Sequence, residues 1–255
     1  MSFRTTRKPS LVRRGRVWAL VLGALVVSWL PGHGFGLANN RVSPQLCGRL
    51  YTPPLSPPWD FRYDKHFMAL VEDAHFTPSV EALIKGKTAN KVGPDIDYTL
   101  GRFPNHPRAL IAVAKLYRRS SNTQAELLPR PAECYFERAV RFAPDDALVR
   151  VLYADFLNYL KYPEEAGFQL ETAVKLAGDN LLTHRNIGLM YLQLGRVDKA
   201  LEQAHRLEEG AANLPPGFNT LKGELVRRGL WVEPAAPPPA MSAASAPGSA
   251  SGSAR

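Results

Sequence analysis

IGLMYLQLGRVDKA, residues 187–200, sets Gly188 directly after Ile187, then Tyr191, Gly195 and Ala200 at intervals of three, four and five residues. Thirty-four residues upstream the same slots hold Tyr153, Ala154, Leu157, Lys161 and Ala166, followed by Leu170 and Ala173. An earlier stretch supplies the other half of the pattern with Ala132, Phe136, Ala139 and Pro144. Small and large residues recurring at fixed slots over so long a period mark stacked helix–turn–helix units.

The spacing has a packing reason. Helices in contact lie about 8–10 Å apart, so the residue at a close crossing must be small. Gly188, Ala154 and Ala114 take that slot on the first helix of each unit, and Ala200, Ala166 and Ala132 open the second. Tyr191, Leu157 and Tyr117 fill the space beside them. The first unit departs from the period. Its first helix starts at Pro107, and its second, at Ala132, begins six residues late. The extra residues fall in Arg119–Pro131, where Ser120, Ser121, Asn122, Pro129 and Pro131 favour a loop. That loop reads either as a functional edge of the stack or as a tolerated surface insertion. The competing interpretation of the whole pattern is an unrelated helical bundle with chance matches.

Over about residues 107–210 the pattern resembles tetratricopeptide repeat proteins. The resemblance implies an all-α fold: a short solenoid of about three units with a C-terminal capping helix and an irregular N-terminal segment. It also implies binding rather than chemistry, with no cofactor, because the family presents a concave surface to a protein partner. In the family, slots 2, 5, 9, 12 and 13 of the first helix face that groove. Here they are Arg108, Ile111, Lys115, Arg118 and Arg119, then Leu148, Val151, Asp155, Asn158 and Tyr159, then Leu182, Arg185, Leu189, Leu192 and Gln193. One wall is thus expected to be basic, offering Lys115 and Arg118 to acidic residues, and the other apolar, offering Leu189 and Leu192 to aliphatic ones. The family's clamp for a C-terminal carboxylate needs Asn where Lys115 and Asp155 stand, so that role is not expected. A self-occupied groove, filled by residues 39–59 or by the terminal cap, is the rival.

The N-terminus bears on destination. Arg4, Arg7, Lys8, Arg13, Arg14 and Arg16 precede an apolar run, Val17–Leu30, broken by Pro31-Gly32 and followed by Gly36 and Ala38. This is the layout of a secretory leader over 1–38, with export to a periplasm. The fourteen-residue run is short beside the roughly 20 residues that span a bilayer. An uncleaved anchor in the inner membrane is the alternative, and membrane contact is expected only in that case. The leader also accounts for the charge. Of 32 basic residues six lie in it, leaving 26 against 23 acids, so the formal +9 falls to +3 and argues against nucleic acid as a partner.

The two cysteines, Cys47 and Cys134, both fall after the leader. An even count in an exported chain predicts a disulfide; two buried free thiols are the alternative. Residues 39–59 include YTPPLSPPW, Tyr51–Trp59, which predicts extended backbone. Residues 60–106 predict an N-terminal helical cap. It holds a short helix over Phe67–Phe76 and a start at Thr77-Pro78 with Val80, Leu83 and Ile84 on one apolar face. A further helix from Pro94 would carry Ile96, Leu100 and Phe103. The strings His75–Pro78, Asp95–Leu100 and Phe103–Leu110 resemble a segment of exported bacterial repeat proteins to which no activity attaches.

Chemistry finds little footing here. His66, His75 and His106 lie near several aspartates but lack the spacing of helical metal motifs. Gly86-Lys87-Thr88 ends like a phosphate loop, yet Glu81 stands where its first glycine belongs. No nucleophile is set among activating partners. No enzymatic activity is expected. After the third unit, Pro216–Arg228 predicts a capping helix with Phe218, Leu221 and Leu225 inward, and Trp231 folding back on it. The solenoid with its cap thus spans 107–232. Residues 233–255, nearly all Ala, Pro, Ser and Gly, predict a disordered tail. The expected function is an exported scaffold binding a protein segment in an envelope assembly. The alternative is an enzyme or a small-ligand or metal-binding module with its site in 60–106, supported by the repeats.

Overall fold

The computed structural model describes residues 42–51, 56–88, 90–119, 128–210, 215 and 218–233. The chain divides into two compact units, Met1–Leu37 and Ala38–Arg255, and every described residue belongs to the second. The expected leader and tail, and most of the inserted loop, lie outside the described residues.

Among the described residues the fold is all-α, with eleven α-helices and a single 3-10 turn at Lys65–Phe67. In order they are α1 (Pro44–Cys47), α2 (Met68–His75), α3 (Pro78–Glu81), α4 (Gly93–Arg102), α5 (Pro107–Arg119) and α6 (Ala132–Phe142). Then come α7 (Ala147–Tyr159), α8 (Pro163–Leu176), α9 (Leu181–Gln193), α10 (Val197–Glu209) and α11 (Thr220–Arg227). From α5 to α10 each helix packs on its successor, and α7 also touches both α5 and α9, so these three form a continuous inner row.

The arrangement repeats. α7 and α9 have 13 residues each and begin 34 residues apart, as do α8 and α10. α7 and α9 also end alike. The Tyr162 amide donates to Leu157 O at 3.0 Å and the Arg196 amide to Tyr191 O at 2.9 Å. The intervening Lys161 and Gly195 stand at φ 67° and 72°. This left-handed turn satisfies carbonyls that the helix end leaves open. α11 closes in the same way, with Leu230 N on Leu225 O at 2.8 Å and Gly229 at φ 65°. Gly229 lies 34 residues after Gly195, so the capping helix keeps the register of the repeat-like helices.

One core runs through the stack. The small slots Ala114, Ala154, Ala166 and Ala200 are buried, as are Leu157 and Tyr191, while Tyr117 packs against the core. Gly188 is there because a Cβ would lie 2.2 Å from Leu221 Cδ2 on α11. Phe218 and Trp231 pack on the same core, and the Lys222 ammonium sits 4.7 Å from the Trp231 ring.

The N-terminal segment clasps the first pair of helices. Cys47 is bonded to Cys134, with Cα atoms 5.0 Å apart, which ties α1 to α6 across 87 residues. Arg138 of α6 donates to the carbonyls of Cys47, Arg49 and Leu50, and Arg141 donates to Gly48 O. Trp59 stacks on Phe67, takes the Arg102 guanidinium on its ring at 4.1 Å, and donates its amide to Arg102 O. Ile96, Leu100 and Phe103 are buried as their spacing predicts. Ile84 is not: it is 78% exposed, because α3 stops at Glu81 and Leu83, at φ 58°, turns the chain outward.

Candidate functional site

The open face of the inner row is made by the slots expected from the sequence. On α5, Arg108, Ile111, Lys115 and Arg119 are exposed and Arg118 is half-buried. On α7, Leu148, Asp155 and Asn158 are half-buried, and Tyr159 is 41% exposed. On α9, Leu182 and Gln193 are exposed, with Arg185 and Leu189 half-buried. Two residues do not belong. Val151 and Leu192 are buried in the core cluster and present nothing to a ligand. The aliphatic contact expected at Leu192 therefore shifts to Leu182 and Leu189.

The basic wall is also corrected by long-range pairing. Arg108 reaches Glu72 at 2.7 Å and Glu81 at 3.6 Å. Arg118 pairs with Asp155 at 2.6 Å and lies over the Tyr159 ring at 5.0 Å. Arg119 donates to Leu83 O at 2.9 Å. On α5, Lys115 alone has no ion-pair partner among the described residues. The face is thus closer to neutral than its composition suggests. Aromatic groups join it, since Tyr117 and Tyr159 meet edge to face at 6.1 Å.

The described part of the N-terminal segment does not fill this face, because α1 packs on α6 of the outer row. The C-terminal cap covers one slot: Phe218 lies against the Arg185 guanidinium at 4.6 Å.

At the N-terminal rim of the same helices a cavity of about 380 Å³ opens. Its walls include Leu148 and Leu182 from the face, Asn180 and Asn186 from α9 and its cap, and Phe61, Arg62 and Lys65 from the segment before α2. Its polar groups are largely engaged. Asp146 caps α7 by accepting from the Leu148 and Val149 amides, and Asn180 caps α9 by accepting from Thr183. Arg62 binds Asp60 at 2.7 Å and Asp145 at 2.9 Å, and these carboxylates, Asp60 foremost, hold its proton well above the usual arginine range.

Two histidines before the stack are built into its foundations. His106 accepts from the Ala109 amide through Nδ1, so its proton is on Nε2, which meets Glu72 at 2.9 Å. Burial leads the shift that lowers its pKa, against the pull of Glu72. His75 Nδ1 donates to Asp95 at 3.0 Å. Asp95 also receives the Thr88 hydroxyl and the amides of Lys87 and Thr88. Burial raises the Asp95 carboxyl, but these donors outweigh it and its pKa falls. The Gly86-Lys87-Thr88 turn thus directs its amides at a carboxylate of its own chain. The sequence gave no sign of this pairing, although the amides facing an anion are the feature that a phosphate loop uses.

Among the described residues no group of three or more His, Cys, Asp or Glu side chains could hold a metal ion, and no helix is long and apolar enough to cross a membrane. Compared with protein-family models, with curated proteins and with solved structures, the chain matches none.

Proposed function

We propose that the chain is an exported scaffold of tetratricopeptide type that holds a segment of a protein partner against the open face of α5, α7 and α9. The observation that carries this reading is the face itself. Three adjacent helices of a 34-residue repeat leave Ile111, Tyr159 and Leu182 exposed in one row above a continuous core. Apolar and aromatic groups on a scaffold are what a bound segment buries, with polar groups at the rim fixing its register. Lys115 is the cation that an acidic residue of the partner meets, and Leu182 and Leu189 take aliphatic side chains.

Export rests on the basic residues and apolar run of 4–30, and on the even cysteine count. The test uses the exported chain as bait on an envelope extract, beside Ile111→Glu combined with Leu189→Glu. Both positions are at least half-open, so the variant folds. A protein retained by the parent and lost from the variant supports the reading; equal retention by both overturns it.

A further inference from the structure

A second cleft, of about 260 Å³, lies between α4, α6 and the disulfide-bound strap, away from the open face. Four guanidinium groups line it, from Arg49, Arg102, Arg130 and Arg138, against the one carboxylate of Asp97. Asp97 is committed to Arg130 and to the Tyr135 hydroxyl, which donates to it at 2.8 Å. The positive charge is crowded as well as numerous. Arg138 is 3% exposed, and burial, then Arg130 and Arg141, push its pKa down. Arg102 is held by Ser56 O and the Trp59 ring, so its position is fixed. Arg49 has no side-chain partner among the described residues. Gly101 lines the cleft with open space where its Cβ would be, and the exposed Tyr51 and Tyr98 stand in the same lining.

We infer that this cleft binds a phosphate monoester or free phosphate. Guanidinium groups pair with phosphate oxygens through parallel N–H donors. The excess of three positive charges selects a dianion over a carboxylate, and a phosphate monoester carries about −1.5 to −2 at neutral pH. The volume is below the roughly 300 Å³ at which drug-sized pockets begin, which suits a single small headgroup. The strap forms one wall through Arg49, Leu50 and Tyr51, so the Cys47–Cys134 bond and the three carbonyls on Arg138 hold the cleft in shape.

The test is titration of the full chain with inorganic phosphate, followed by phosphorus NMR line broadening. Saturable broadening is expected. Arg49→Gln, which removes a charged donor not used by the fold, should weaken it about tenfold or more. Gly101→Leu, which projects into the cleft without meeting a neighbouring atom, should abolish it with helicity unchanged. Opening the disulfide should weaken it too. A second arm offers vesicles of phosphatidic acid in phosphatidylcholine. Vesicle binding displaced by free phosphate identifies a lipid headgroup as the source, and phosphate binding without vesicle binding identifies a soluble ligand. No saturable signal at millimolar phosphate, or a signal untouched by both Arg49→Gln and Gly101→Leu, overturns the inference.

Discussion

Gly188→Ala adds one methyl group where α9, α10 and α11 meet, and the structure sets two effects of opposite sign against each other. Alanine in a helix interior gains about 1 kcal/mol over glycine from backbone entropy. Against this, the new Cβ would lie 2.2 Å from Leu221 Cδ2 and 3.0 Å from Gln203 Cβ. The first of these atoms ends a flexible side chain, yet Leu221 is completely buried and has little room to turn. Overpacking of this kind costs about 1–3 kcal/mol, so the net expectation is a loss of about 1 kcal/mol. A double-mutant cycle isolates the contact. Leu221→Ala alone should cost about 2–5 kcal/mol through the cavity it leaves. In the Gly188→Ala background the methyl group occupies part of that cavity, and the cost should shrink by about 1 kcal/mol or more. Urea unfolding followed by circular dichroism measures all four corners. If Gly188→Ala is stabilising and the two changes are additive, the close approach of α11 to α9 is not what demands glycine there.

Lys161 occupies the left-handed slot that Gly195 and Gly229 fill elsewhere, so Lys161→Gly should stabilise the chain by about 0.5–1 kcal/mol in the same assay, and a loss would contradict the strain at that turn. Cys134→Ser should lower stability by about 4–5 kcal/mol in the chain-entropy model for the 87-residue separation, read as a fall in the urea midpoint, while an unchanged midpoint would show that the strap constrains nothing. Stability should fall on acidification in two stages. Burial depresses His106, so its contribution is full above the unfolded value of about 6.5 and declines as pH drops below it. The donors around Asp95 depress its pKa, so that contribution is lost as pH falls below about 4, and Asp95→Asn should flatten this acid limb.

Much of the stack was legible because its information is local. Gly188, Ala154 and Ala114 mark crossings by size alone, and Pro107, Asp146 and Asn180 mark helix starts within a few residues of the event. Even the register of α11 could have been read, since Leu225 and Gly229 repeat Tyr191 and Gly195 after 34 residues. Ile84 was misplaced because a helical periodicity says nothing about where a chain leaves the helix; the reversal at Leu83 is a left-handed residue with no glycine to announce it. The candidate face was readable as geometry but not as charge. Arg108 meets Glu72 and Arg118 meets Asp155 across 36 and 37 residues, and such pairs have no sequence signature. The arginine cleft was invisible for the same reason: Arg138 reaches the strap carbonyls across about 90 residues.

The account stands on the open face of α5, α7 and α9, and site-specific photo-crosslinking in cells tests it most directly. A photoreactive residue is placed in turn at Ile111, Tyr159 and Leu182 on that face, and at Phe168, which is 59% exposed on the outer helix α8. The account predicts one discrete adduct of the same mass from all three inner positions and none from Phe168. An adduct from Phe168 with none from the inner row would contradict it and move the interaction to the outer surface.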